Sequence, residues 1–235
     1  MSYKLLSVGA DAKTIKGNGD EYITGIVYMK PYKTVWQGKL HNLCARADIA
    51  KCSGPCLNTA GRGQMNTVQD ARLRKTQLWI SDRKQWIATF EEDLTVFRRR
   101  ANKNGQQPCV RPNGTTDILH ERSGFIQRFP DIQFYDYSKN YERAYRQMPS
   151  NYHLTLSYSE ANMDYADAVH KAVLDTGVNM AVVFRDKDTI PTTFRGLPVV
   201  DGDKDDLRFL DPKGCVVALY AKGDAKSDTS GFVIG

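Results

Sequence analysis

From Cys109 onward the chain alternates short apolar runs with helical patterns, and this alternation constrains the fold more than any other feature. CVRPN (Cys109 to Asn113), IQFYDY (Ile132 to Tyr137), HLTLSYS (His153 to Ser159), NMAVVF (Asn179 to Phe184), LPVV (Leu197 to Val200) and CVVALYA (Cys215 to Ala221) read as strands. Between them lie SKNYERAYRQM and MDYADAVHKAVLDTG. The second of these sets Ala166, Val169, Val173 and Leu174 on one face and stops at Gly177. Strands spaced by helices cannot pair as hairpins and build βαβ units on a parallel sheet. The expected class is α/β, either a partial (β/α)6-type barrel or an open parallel sheet. A cysteine-bearing loop and a short N-terminal β region precede it.

Upstream, YITGIVYM (Tyr22 to Met29) is dominated by β-branched and aromatic residues, with Gly19 before it and Pro31 after. Two helices follow the cysteine loop. Asn66 or Thr67 can cap VQDARLRKTQLW, and Ser81 or Asp82 can cap DRKQWIATFEEDLTVFRRRANKNG. In the latter Trp86, Phe90, Leu94 and Phe97 recur at steps of four, four and three, which marks a buried stripe. The organisation expected is an N-terminal β extension over 1–40 and an α/β domain over 41–235, with the cysteine loop at 43–63.

A chain of 235 residues, 41% hydrophobic and 26% charged, can bury a real core. It has no apolar stretch long enough for a membrane helix and no export-signal pattern, so a cytoplasmic protein is expected. The net charge is +6, much of it between Arg62 and Lys103. Arg72, Arg74, Lys75 and the run Arg98 to Arg100 are either a solvated helix face or a surface for nucleic-acid phosphates.

Five cysteines in a reducing compartment point to thiols or metal ligands rather than disulfides. Three of them cluster in LCARADIAKCSGPCLNTAGRG, as Cys44, Cys52 and Cys56. Thiolates are soft donors that suit iron–sulfur clusters and zinc, and Ser53, Gly54 and Pro55 favour a turn between the last two. Gly61 and Gly63 can bring backbone N–H groups toward an anionic ligand. Zinc would need a fourth donor, for which His41 is nearest in sequence. Cys109 and Cys215 open apolar strands and read as small buried hydrophobes. The aspartates Asp201, Asp203, Asp205 and Asp206 miss the glycine of a calcium loop and read as carboxylates steadied by Arg208 and Lys204. Among other polar groups at strand ends, Asn113, Thr116 and Asp117 in PNGTTD are the best site candidates, followed by Lys139 and Lys222. An Asn-Gly pair is also a strong turn former.

CSGPCLNTAGRG, ARLRKTQLWISDRKQW, VRPNGTTDI, IQFYDYSKN and VVDGDKDDLRFLDP with VVALYAKG, in that order, resemble the bacteriophage "gene product 88" family of phages and mobile elements. The layout of a three-cysteine loop ahead of six strands is also distantly similar to radical S-adenosylmethionine (SAM) enzymes. That resemblance implies a [4Fe-4S] cluster on Cys44, Cys52 and Cys56 with one open iron, and SAM across the strand ends. The spacing here is Cys-x7-Cys-x3-Cys rather than that group's Cys-x3-Cys-x2-Cys, and Pro55 stands where an aromatic residue is common. The competing expectation is a zinc-stabilised nucleic-acid-binding phage protein without catalysis.

Overall fold

Apolar runs bounded by turn residues become strands in the computed structural model, which describes residues 4–9, 15 and 21–235. In chain order its elements are β1 (Leu6–Val8), β2 (Tyr22–Val27), β3 (Lys33–Trp36), β4 (Lys39–Asn42), α1 (Ala47–Ala50), α2 (Asn66–Ser81), α3 (Arg83–Lys103) and β5 (Gln107–Arg111). There follow α4 (Phe125–Arg128), β6 (Gln133–Ser138), β7 (Tyr152–Ser157), α5 (Met163–Thr176), β8 (Asn179–Phe184), β9 (Thr193–Phe194), β10 (Leu197–Asp201), β11 (Val216–Tyr220) and β12 (Val233–Ile234). The class is mixed α/β with mostly parallel strand pairs, as expected. Two units interleave along the chain. The first comprises Met1–Leu43, Asn66–Asp136 and Met148–His153; the second comprises Cys44–Met65, Tyr137–Gln147 and Leu154–Gly235.

In the first unit β2 and β5 pair in parallel, as do β5 and β6, and β1 lies antiparallel on β2. Helix α3 presents Trp86, Phe90, Leu94 and Phe97, all fully buried, as its period required. Trp86 meets Trp79 of α2 edge to face at 5.0 Å and stacks on buried His120 at 5.5 Å. Asp82 accepts the Gln85 N–H at 2.9 Å and so starts α3. Asp82→Ala should lower stability by about 1 kcal/mol in urea unfolding, the usual effect of losing an N-cap. Strands β3 and β4 form a separate hairpin that the sequence pattern did not announce.

In the second unit β7, β8, β11 and β10 are parallel neighbours in that order. Strand β9 closes the edge antiparallel to β10, and β12 pairs with the far end of β8 beyond β7. Asn162 caps α5 and Gly177 ends it at φ +73°. Its buried stripe is Tyr165, Ala166, Val169, Ala172 and Val173. Leu174, expected on that stripe, is 63% exposed, because the stripe is centred one position toward Tyr165 and Ala172. SKNYERAYRQM does not form the expected helix. Asn140 accepts the Glu142 N–H at 3.2 Å, a tight turn Tyr141–Tyr145 follows, and the chain is already extended at Arg146.

Candidate metal centre

The cysteine loop begins where Cys44 accepts the Ala47 N–H through its carbonyl at 3.0 Å, opening the single turn of α1. Ala47 and Ala50 are buried, so this turn is packed through its smallest side chains. Lys51 ends it in the left-handed region at φ 51°, which returns the Cys52 N–H to the Ala47 carbonyl at 3.3 Å. Cys44 and Cys52 are buried and Cys56 is half-buried. Beyond Cys56 the chain makes two tight turns, Leu57–Thr59 and Gly61–Gln64. The Gly63 N–H, expected to be available to a ligand, donates to the Ala60 carbonyl at 3.0 Å.

Three tethers fix this loop within its unit. The Arg46 guanidinium lies 5.2 Å from the Tyr141 ring centre and bonds the Glu142 carboxylate at 2.7 Å. Ser159, just after β7, places its hydroxyl 2.8 Å from the Ala50 carbonyl. Gly223, after β11, comes so close that an added Cβ would lie 3.3 Å from Ala60. The last two tethers follow the carboxyl ends of parallel strands, the end at which βα folds place their ligands.

None of the five cysteines is in a disulfide. Two of the three loop thiols are turned toward backbone of their own loop. Cys52 Sγ is 4.0 Å from the Ala47 carbonyl, and Cys56 Sγ accepts the Asn58 N–H at 3.5 Å. Among the described residues no three His, Cys, Asp or Glu side chains converge as ligands of one metal ion. The compact tetrahedral set that zinc needs is therefore not assembled there, and His41 sits on β4 opposite Thr34. A four-iron cubane holds its thiolates at the corners of a larger body. The donor type and the single-loop origin of the three thiols suit it, provided Cys52 and Cys56 leave their backbone partners.

The other candidates divide between the units. In the first, Asn113 is wholly engaged: its amide donates to the Ile118 carbonyl and to Asp136, each at 2.9 Å, and its oxygen accepts Thr116 Oγ1 at 2.8 Å and the Ile118 N–H at 2.9 Å. Asp136 accepts also the Asn113 N–H and the Tyr152 hydroxyl, both at 2.8 Å. Asn113 and Thr116 thus meet, as a braced loop; the Asp117 N–H ties that loop to the Leu43 carbonyl at 2.9 Å. In the second unit Lys139 is half-buried after β6. Lys222, rather than Lys204, meets Asp203, whose carboxylate also accepts the Tyr220 N–H. Arg208 is buried against Asp205 and Asp211, and burial pushes the Asp211 carboxyl up to about 6. Asp136 and Ser159 stand out in the sequence only as polar groups at strand ends, and Glu142 does not stand out at all; the roles of all three depend on distant partners.

The basic helices are less available than their composition suggests. Arg72 is buried over the Tyr28 ring, Lys75 donates to the Leu5 carbonyl at 2.7 Å, and Arg98 pairs with Asp131 at 3.3 Å. Arg74, Arg99 and Arg100 are exposed. No helix among the described residues is long and apolar enough to cross a membrane. The family model described as Gene product 88 matches residues 4–235. No curated protein and no solved structure matches the chain.

Proposed function

Because the chain belongs to the Gene product 88 family of phage proteins, and because its cysteine loop sits where parallel folds place ligands, we propose that it is an iron–sulfur protein. Cys44, Cys52 and Cys56 would hold a [4Fe-4S] cluster with one iron open. The observation that carries this reading is the tethering of a three-thiol loop beside the carboxyl ends of β7 and β11. Bound there, such a cluster supplies one-electron transfer and an open coordination position. The chain's own contribution is to orient and exclude water: Arg46 and Ser159 hold the loop, and Ala47 and Ala50 fill the space beneath it. In its narrower form the proposal has SAM bound across the strand ends of a partial barrel, with Lys139 near its reach, in a radical-SAM-like enzyme. Asn113 and Thr116 serve better as braces than as ligands, since their polar groups are spent on the loop and on Asp136.

Anaerobic purification followed by iron and sulfide reconstitution tests the reading. Brown protein with about four irons per chain is expected, with broad visible absorption that bleaches on reduction. Cys44→Ser, Cys52→Ser and Cys56→Ser should each lose most of that iron, while Cys109→Ser and Cys215→Ser retain it. Both control thiols are buried, and burial pushes Cys215 up to about 11. Colourless protein, or iron indifferent to the three loop variants, sinks the proposal. A change in the electron paramagnetic resonance signal on adding SAM would carry the narrower form; an unchanged spectrum removes it.

A further inference from the structure

The net charge of +6 is not shared between the units. The first unit holds 18 lysines and arginines against 12 aspartates and glutamates, whereas the second holds 15 of each. The whole excess therefore belongs to the unit that carries the β3–β4 hairpin. From Tyr22 to Leu43 that unit has Lys30, Lys33 and Lys39 and no acidic residue.

The hairpin is built to stand away from a sheet. Lys33↔Asn42, Thr34↔His41, Val35↔Leu40 and Trp36↔Lys39 are its cross-strand pairs, and no third strand joins it among the described residues. Gln37 at φ 50° and Gly38 at φ 72° make the two-residue turn that matches strand twist. Its root is held firmly. The Lys30 N–H donates to Thr76 of α2 at 2.8 Å, Arg72 covers the Tyr28 ring at 5.3 Å, and the Leu43 N–H closes the base on the Tyr32 carbonyl at 3.0 Å. Side chains alternate along each strand, so Lys33 and Val35 share one face with Asn42 and Leu40. All four are exposed, Val35 at 67% and Leu40 at 62%, while Thr34 on the opposite face is buried.

We propose that this hairpin is a basic β-ribbon that enters the major groove of duplex DNA. A two-stranded ribbon has the width of that groove, lysines neutralise the flanking phosphates, and an exposed aliphatic pair suits thymine methyl groups. An exposed aliphatic pair in a stretch whose sequence carries three lysines and no acidic residue favours a polyanion over another protein surface. The A-form groove of an RNA duplex is too deep and narrow for side chains to read. The surface belongs to the first unit and does not depend on the iron–sulfur reading, so either can fail alone.

The test is fluorescence anisotropy of the full chain with labelled 20-base-pair DNA, the matching single strand and the matching RNA duplex, over a series of salt concentrations. Duplex DNA should bind best, with log affinity falling linearly against log salt. Lys33→Gln with Lys39→Gln should weaken binding about ten- to a hundredfold at 0.1 M salt and flatten the slope by about two, one for each lost phosphate contact. Val35→Ser with Leu40→Ser should weaken it with the salt slope unchanged; both positions are exposed, so folding survives. Arg99→Gln with Arg100→Gln on α3 should change affinity less than the lysine pair. Absent binding, preference for RNA or single strands, unaltered affinity in the lysine pair, or greater loss from the α3 pair would overturn the proposal.

Discussion

Asp136→Ala should destabilise the protein by about 3 kcal/mol or more, measured as the shift of its urea unfolding midpoint at constant slope. Asp136 is fully buried and takes three donors: the Asn113 N–H, the Asn113 amide and the Tyr152 hydroxyl. Alanine leaves these donors without an acceptor where water does not readily replace it, and each buried unsatisfied donor costs about 1–3 kcal/mol. The loss should spread along the loop, because Asn113 oxygen in turn holds Thr116 Oγ1 and the Ile118 N–H. Amide exchange at Ile118 should quicken in the variant well beyond the change at Gln85. Asp136→Asn keeps the shape and one acceptor oxygen but turns an N–H toward other N–H groups, so its loss should fall between the two. A midpoint for Asp136→Ala indistinguishable from the parent would show that the network contributes nothing.

This network shows where a sequence stops being readable. Asn113, Thr116 and Asp117 stand out because polar groups after a strand are where parallel folds bind ligands. Their partner Asp136 is 23 residues away on β6, and nothing local announces that pairing. The residues were found; their purpose was set by a tertiary contact. The same holds for the basic helices. The charges of Arg72, Lys75 and Arg98 are visible in composition, but the Tyr28 ring, the Leu5 carbonyl and Asp131 claim them only in the folded chain.

The regular elements were legible for a clear reason. Trp86, Phe90, Leu94 and Phe97 declare α3 by their period, and β8 occupies the Asn179–Phe184 run because a left-handed Gly177 precedes it and Arg185 follows. The β3–β4 hairpin has no such mark in the sequence, since its turn is Gln37-Gly38. Nothing in a glutamine side chain favours φ 50°, so the usual Asn-Gly signal is missing. The interior of the cysteine loop was illegible for a related reason. Its course depends on a left-handed Lys51 and on tethers from Glu142, Ser159 and Gly223, each supplied by a segment remote in sequence.

The N-terminal strand provides the clearest dependence on pH. Lys75 on α2 donates to the Leu5 carbonyl, while Asp93 of α3 accepts the N–H groups of Lys4, Leu5 and Leu6 at 3.0, 2.6 and 3.0 Å, so β1 enters the unit through one half-buried lysine and one buried carboxylate. Burial pushes the Lys75 ammonium down to about 8; Asp93 opposes the shift and Arg72 adds to it. A lysine lowered in the folded state binds fewer protons there than in the unfolded chain. Its cost to stability is therefore fully present below about pH 8 and is relieved as pH rises from 8 toward the unfolded value of 10.5. The full relief amounts to about 3 kcal/mol. Lys75→Met keeps the apolar stem and removes the titration; the orphaned Leu5 carbonyl costs the same at every pH. Urea midpoints taken between pH 7 and 10 should thus rise for the parent relative to Lys75→Met, and the gap between the two should change by about 2 kcal/mol over that range. Parallel pH profiles for the two proteins would mean that Lys75 reaches water freely and that β1 is not held by a strained ammonium.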